Sequence, residues 1–272
     1  MAPIPDLTDH TALTRNRAKA HAFFLHDEAI AEIQQRLAEV NRSFTTPAIV
    51  TGFPDIWANA FPGAAVVPDE PVLALQPGAH DLVIHGLSLH WAADPVGQLV
   101  QCRHALAPDG LMIAVLFGGQ TLAELRAVLA EAETAETGGL SPRVLPMAEL
   151  RDLGGLLQRA GFALPVADAH SLTVTFADTR ALMLDLRAMG EANALAGRLR
   201  RPTRAGVFAR ADLLYRHSFP AEGGRIAATF DLMFLTGWSP ADSQPKALRP
   251  GSAAQKLADA LGVVEQPLPR HS

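Results

Sequence analysis

The sequence predicts an α/β fold with a doubly wound, mainly parallel sheet. In the first half of the chain, short and continuously apolar segments alternate with helical segments. Such apolar runs are typical of parallel strands that helices cover on both faces. Apolar residues make up 49% of the 272 residues, which is enough for a full hydrophobic core.

The predicted elements of the first half form an N-terminal layer and a core. Residues 1–46 are assigned to a helical layer, because apolar residues recur at helical spacing over 12–41. An α/β core is assigned to residues 47–177 and begins with alternating strands and helices. The strands are predicted at 48–52, 64–67, 81–87 and 111–117, and the helices between them at 55–61 and 99–106.

The second half of the chain predicts an α/β elaboration of this core within a single compact domain. Residues 178–252 are assigned to a helical insertion and a final strand, and residues 253–272 to a tail. Asp178 is a plausible N-cap for a helix over 178–195. The remaining helices are predicted at 122–136, 147–160, 209–217 and 253–261, and the strands at 162–167, 172–176 and 226–238.

Composition and charge exclude several classes of protein. The formal charge of −5 gives no general attraction to nucleic acid, so we expect no nucleic-acid partner. No apolar run approaches the length of a transmembrane helix, although a transient association with a membrane surface stays open. Cys102 is the only cysteine, which excludes an internal disulfide. The acidic N-terminus does not resemble a signal or transit peptide, so a cytoplasmic location is expected.

One basic segment departs from this average. Of the 23 basic residues, 20 are Arg, and eight of those lie between Arg180 and Arg216 beside only three acidic residues. The segment carries a local charge of +5, which leaves −10 for the rest of the chain. It is either a solvated helical face or a docking surface for an acidic partner.

Two groups of motifs carry a resemblance to a known family. Residues 81–91 and 106–111 resemble strands four and five, with the helix between them, of class I S-adenosylmethionine (SAM) methyltransferases of the type-11 group. Residues 152–162, 186–195 and 236–238 are similar to a narrower branch, the arginine-hydroxylase assembly factors of NADH dehydrogenase (complex I) and their bacterial relatives. The methyltransferase of biotin synthesis that acts on malonyl-carrier protein is a more distant cousin. The resemblance implies a Rossmann-like sheet and SAM as cofactor.

The chain departs from this family in the half that binds the cofactor. Of the glycines that follow strand one in the family, only Gly52 is present, and Phe53, Pro54 and Trp57 add bulk there. If residues 64–67 are strand three, strand two is missing and the sheet is shortened in that region. Alternatively, residues 66–69 are strand two, and strand three is reduced to residues 71–75. In this second alignment Asp69 or Glu70 would bind the ribose.

The candidate site residues follow from these two alignments and from the resemblance. His85 and His90 lie at the end of the strand-four region, where class I enzymes place catalytic or cofactor contacts, and they are the catalytic candidates. No metal site is predicted, because the spacing of these histidines matches no established ligand motif. The candidates for binding the cofactor are Gly52, Asp69, Glu70, His85, Leu87 and Trp91. Those for binding a substrate or partner are Arg187, Glu191, Asn193, Arg200, Arg201 and Arg204.

Three functions remain open from the sequence. The resemblance implies a protein that modifies or chaperones a peripheral-arm subunit of NADH dehydrogenase, with that subunit as its protein client. The first alternative is an active methyltransferase for a small molecule or carrier protein, as in biotin or quinone synthesis. The second is a pseudoenzyme that has kept the fold, lost the cofactor and binds proteins through the basic segment.

Overall fold

A computed structural model describes residues 7–244 of the chain, and its first compact unit runs as far as Pro240. The elements discussed below all belong to this unit. None of the helices within residues 7–244 combines the length and the hydropathy that a bilayer span requires.

The centre of the unit is a mixed sheet in the order β2-β1-β3-β4-β7-β5, with the short β6 paired to β7. Its first four strands are parallel, and β7 runs antiparallel to both β4 and β5. This is the doubly wound, mainly parallel sheet that the sequence predicts. The strands are β1 (Pro47–Thr51), β2 (Ala65–Val67), β3 (His80–Gly86), β4 (Leu106–Gly118), β5 (Ala163–Phe176), β6 (Pro220–Ala221) and β7 (Arg225–Trp238).

Helices cover both faces of the sheet. One face packs against α2, α5, α7 and α8, and the other against α4 and α6. In β3, Ile84 belongs to the first core and its neighbour Val83 to the second, which is why the parallel strands are apolar without interruption. The helices are α1 (His10–Arg17), α2 (Phe24–Glu39), α3 (Pro54–Ala60), α4 (Pro95–Ala105), α5 (Ala123–Thr137), α6 (Leu150–Arg159), α7 (Thr179–Ala188) and α8 (Ala205–Ser218).

One edge of the sheet bears on both alignments of the cofactor half. β2 pairs with β1 in parallel and is the edge strand of the described sheet. Residues 71–75 contain no strand, so the reduced strand three of the second alignment is wrong. The described sheet therefore has one strand beyond β1, in agreement with the predicted shortening, and whether this strand corresponds to strand two or strand three of the family stays a prediction.

Two other predicted elements differ from the structure. The strands predicted at 162–167 and 172–176 form one continuous strand, β5, which pairs along most of β7. The helix predicted over 178–195 ends at Ala188, because Gly190 adopts a φ of +83° that breaks the helix. The predicted helix at 253–261 lies outside the described residues.

The topology creates a switch point between β1 and β3. From β1 the chain moves outward to β2 and then returns to β3 on the other side of β1. In open α/β sheets, ligands bind in the crevice beyond the carboxyl ends of the strands at such a point. Gly52 follows β1, Asp69 follows β2 and Leu87 follows β3, so the predicted cofactor residues lie along this edge.

Candidate functional site

The crevice over the end of β1 contains a side chain of α1. A Cβ atom built on Gly52 would lie 2.2 Å from Nη1 of Arg17 and 2.4 Å from its Cζ. The guanidinium therefore lies directly against the backbone at the switch point. Without a Cβ, Gly52 permits this approach, and a larger residue at position 52 would displace the guanidinium.

Arg17 is paired with the acidic residue that the sequence proposes for ribose binding. Its Nη1 donates to both carboxylate oxygens of Asp69 at 2.9 Å. The two side chains are only 10% and 15% exposed. The Nε and Nη2 atoms of Arg17 are buried and have no hydrogen-bond partner within the described part of the chain.

A cavity of about 270 Å³ adjoins this ion pair, and we call it the Asp69 cavity. The Gln98 side chain crosses its floor and donates from Nε2 to the carbonyl oxygens of Asp69 and Glu70, at 3.4 and 3.2 Å. The walls combine polar and apolar groups, as ligand sites commonly do. Its lining includes Arg17, Asp69, Glu70, Trp91, Gln98 and Gln101.

A second cavity of about 240 Å³ lies on the other side of Trp91, and we call it the Glu191 cavity. Most of its wall is apolar. Its polar part contains His90, Trp91 and Glu191, and Arg187 and Asn193 also line it. The apolar lining includes Leu25, Phe117, Leu125, Met183, Leu186 and Phe230.

Glu191 is the central polar group of the second cavity. Its Oε2 accepts a hydrogen bond from Trp91 Nε1 at 2.8 Å and lies 3.6 Å from His90 Nε2. Burial raises the pKa of this carboxyl, but nearby His90, Arg17 and Trp91 outweigh burial, so the pKa lies below its ordinary value. Glu191 is therefore ionised at neutral pH.

Several polar atoms around Glu191 lack partners. Oε1 of Glu191 and both ring nitrogens of His90 are buried and make no hydrogen bond with the described residues. The His90 side chain is only 4% exposed, so surface water does not readily satisfy it. Unsatisfied buried polar atoms are costly, and a group of them at a cavity wall indicates a place where a ligand binds.

His85 and Leu87 are placed differently from the other candidates. His85 is fully buried in β3, with Nε2 2.8 Å from Gln98 Oε1. Burial lowers its pKa to about 4, so it is neutral and supports the position of Gln98. Leu87 is also buried, and its amide donates to the carbonyl of Val115. Neither side chain lines the two cavities, and their predicted catalytic and cofactor roles remain predictions.

The three arginines predicted to bind a partner lie away from both cavities. Arg200 is 62% exposed and pairs with Asp9 at 3.0 Å. Arg201 is exposed, and Arg204 precedes α8 and donates to the carbonyl of Glu136. Their proposed role in binding an acidic partner therefore stays a prediction.

Sequence reasoning missed Arg17. It occupies a helix with alternating polar residues, where an arginine is ordinarily a solvated side chain. Only the fold brings α1 across the carboxyl edge of the sheet, so no local signal distinguishes Arg17 from the exposed Arg15.

One group of side chains has the composition of a metal site. Ligand atoms of Glu28, Glu32 and His170 lie within 4.8 Å of one another. Arg36 pairs with Glu32 and, at 2.5 Å, with Asp168. Its positive charge beside the group disfavours a cation there.

Comparisons with known proteins decide the family. No family model matches the chain. The arginine-hydroxylase NDUFAF5, mitochondrial, of Danio rerio is 36% identical over 223 residues, which are 81% of this chain and 68% of that protein. The chain belongs to the arginine-hydroxylase NDUFAF5 family. The predicted resemblance is thereby confirmed.

Further relatives show the breadth of this relationship. The NDUFAF5 protein of Mus musculus is 40% identical over 198 residues, which are 73% of this chain and 57% of the mouse protein. The chain thus spans less than two thirds of the mouse relative's length. A malonyl-[acyl-carrier protein] O-methyltransferase of Halorhodospira halophila is 34% identical over 173 residues, or 64% of this chain and 57% of that enzyme.

Solved structures give a more remote likeness. A putative methyltransferase from Bacillus halodurans C-125 has a TM-score of 0.48 and 15% identity, covering 78% of this chain and 99% of that one. The assignment to the NDUFAF5 family rests on the sequence relatives, and the description of the fold rests on the strand order and directions given above.

Proposed function

We propose that this protein is a SAM-dependent enzyme that receives an arginine side chain of a protein client in the Glu191 cavity and modifies it. The observation that carries the proposal is the ionised, buried carboxylate of Glu191, whose Oε1 has no partner among residues 7–244. The names of two relatives described above, which are arginine hydroxylases, support the same choice of substrate.

The residues at the switch point fit the proposed cofactor. Asp69, at the end of β2, offers a carboxylate to the ribose hydroxyls, and the Asp69 cavity provides room beside it. Gly52, at the end of β1, brings the backbone into contact with the Arg17 guanidinium, which adjoins the same cavity. When bound, SAM supplies an electrophilic methyl group on a sulfonium.

The Glu191 cavity suits a long cationic side chain. An arginine has an apolar stem that packs on aliphatic and aromatic walls, and a planar guanidinium that pairs with a carboxylate. The wall offers Phe117, Leu125 and Phe230 to the stem and Glu191 to the guanidinium. Trp91 Nε1 donates to Glu191 Oε2 at 2.8 Å and holds the carboxylate in place, and His90 Nε2 lies 3.6 Å from the same oxygen.

The same charge argues against a carboxylate substrate. A malonyl group would bring a negative charge beside the buried negative charge of Glu191, which a cavity of low dielectric penalises strongly. The alternative of a methyltransferase for malonyl-carrier protein is therefore less well supported, although relatives with that name exist.

For the client, the proposal follows the resemblance. We take the client to be a peripheral-arm subunit of NADH dehydrogenase, as the likeness to complex I assembly factors implies. A cytoplasmic location is proposed from the low cysteine content, which is typical of a reducing compartment, whereas the NDUFAF5 relatives are named as mitochondrial proteins.

The test compares an arginine with its neutral isostere. We expect a blocked Gly-Arg-Gly peptide to bind the wild-type protein about tenfold or more tightly than the citrulline peptide, because charge-assisted hydrogen bonds contribute about 1.5–3 kcal/mol. Glu191→Gln should abolish this preference, and the exposed Glu131→Gln should leave it intact. Chemical-shift titration measures the affinities. Equal binding of both peptides to the wild type would refute the arginine site.

A further inference from the structure

We propose that Arg17 of α1 binds the carboxylate at the amino-acid end of the cofactor, a task for which the turn after β1 provides no charged side chain. This inference rests on the proposed use of SAM and names the residue that would hold one end of it. Neither the sequence motifs nor the names of the relatives assign this role to Arg17.

The guanidinium of Arg17 uses only part of its hydrogen-bonding capacity within the described residues. Nη1 is fully engaged with Asp69, whereas Nε and Nη2 are buried without an acceptor in residues 7–244. These two nitrogens form one edge of the planar group, and their N–H bonds point in parallel. A carboxylate matches that edge with two parallel hydrogen bonds. The unused edge of Arg17 therefore fits a carboxylate in particular.

The position of the Arg17 guanidinium also suits this role. The guanidinium lies against Gly52, at the switch point where this type of sheet binds its ligand. Through Nη1 it is bonded to Asp69, the proposed partner of the ribose hydroxyls. A ligand whose ribose reaches Asp69 therefore has its other end within reach of Arg17. SAM has this layout, with the ribose joined to an amino acid through sulfur.

The turn after β1 provides no charged side chain for a ligand. Its large side chains are apolar and buried in the core, and the Arg17 guanidinium lies over the Phe53 ring, with Cζ 5.6 Å from the ring centroid. Trp57 Nε1 donates to His26 Nδ1 at 3.1 Å, which fixes the indole inward. The turn thus offers only backbone to a ligand, and a charge for the carboxylate has to come from another element.

Hydrogen bonds and an ion pair hold α1 in place over the crevice. Thr8 Oγ1 donates to the carbonyl of Trp91 at 2.9 Å, and Asn16 Nδ2 donates to the carbonyl of Ala192 at 2.9 Å. Asp9 caps the helix and pairs with Arg198 at 2.8 Å. These contacts join α1 to the segment that carries Glu191, so one unit positions both charged groups.

The test measures how much the ligand's carboxylate contributes to binding. Calorimetric titration compares S-adenosylhomocysteine with its decarboxylated analogue, on the full chain and on three variants. In the wild type we expect the carboxylate to tighten binding about 10- to 100-fold, as a bidentate charge-assisted pair does. Arg17→Ala should reduce this ratio to about onefold, and Arg17→Lys, which keeps the charge but loses the flat edge, should leave a smaller ratio than the wild type.

The control is Arg15→Ala, which removes an exposed arginine from the same helix and should leave the ratio unchanged. If Arg17→Ala does not fold, Arg17→Lys carries the test alone. A ratio that is unchanged in the Arg17 variants overturns the inference and leaves the proposed cofactor standing. If the wild-type protein binds neither ligand, the proposed cofactor is refuted together with this inference.

Discussion

His26 and His85 are neutral at physiological pH because the fold buries them. Burial lowers the pKa of each ring to about 4, from an ordinary value near 6.5. His26 is hydrogen-bonded to Trp57, and His85 to Gln98 and, at 3.4 Å, to Ser88. A histidine at the end of a strand looks catalytic in a sequence, but only its surroundings show whether it can reach a ligand.

These shifts predict how stability depends on pH. Between about pH 6.5 and 4 the unfolded chain binds protons that the folded chain does not, so the free energy of unfolding should fall as the pH falls through this window. His85→Gln should make that fall shallower because one of the two buried rings no longer titrates. Urea unfolding at several pH values measures the slope. The exposed His217→Gln is the control, and an equal slope in His85→Gln and wild type would contradict the prediction.

At the level of single residues, the sequence predicted one half of the candidate site better than the other. The segment around Glu191 was assigned to substrate or partner, and Arg187, Glu191 and Asn193 do line one cavity. Arg17 could not be found, because its burial results from the path of α1 across the sheet. The unpartnered atoms of Arg17 and Glu191 are likewise properties of packing, which no motif records.

Among the elements, the end of α7 links the two parts of the site. Gly190 has a φ of +83°, and a Cβ on it would lie 3.2 Å from the Cα of Arg17 and from the ring of Phe53. This glycine therefore lets the chain turn sharply and lets α1 pack closely. The sequence motif predicted a longer helix because Gly190 stands among good helix formers, and the tight contact with α1 explains the early stop.

Gly190→Ala should therefore destabilise the protein through two effects. The left-handed backbone costs an alanine about 1–2 kcal/mol, and the crowding against α1 adds to this. Gly223→Ala isolates the first effect, because Gly223 has a φ of +67° with nothing within 4 Å of its Cβ position. We expect Gly190→Ala to lower the free energy of unfolding more than Gly223→Ala, as measured by urea unfolding. Equal losses in the free energy of unfolding for the two variants would contradict this prediction, because they would show that α1 moves away from the added methyl group at no energetic cost.

The strands show a similar division between what the sequence predicts and what it does not. The parallel strands were located by their apolar runs, since burial on both faces leaves no room for polar residues. β5 was divided in two because polar residues interrupt it, although pairing with β7 keeps it continuous. β2, with three residues, was predicted as a strand from its apolar run, whereas its parallel pairing with β1 is known only from the structure.

In the whole molecule, a shortened cofactor edge lies beside an added binding cavity. The described sheet has one strand beyond β1, and α1 with the segment around Glu191 covers the carboxyl ends of the strands. Trp91 lines both cavities and therefore adjoins both the place proposed for the cofactor and the place proposed for the client's arginine. The general fold class was predictable from composition and periodicity, whereas this arrangement of the two cavities was not.

The central claim is that a client arginine enters the Glu191 cavity and is modified there. Mass spectrometry of the peripheral-arm subunits of NADH dehydrogenase tests it, on material from cells that make the wild-type protein, Glu191→Gln or the Glu131→Gln control. We predict a modification confined to an arginine with the wild type and the control, and its loss with Glu191→Gln. Subunits that carry no modified arginine with the wild type, or that are modified equally with Glu191→Gln, would contradict the account.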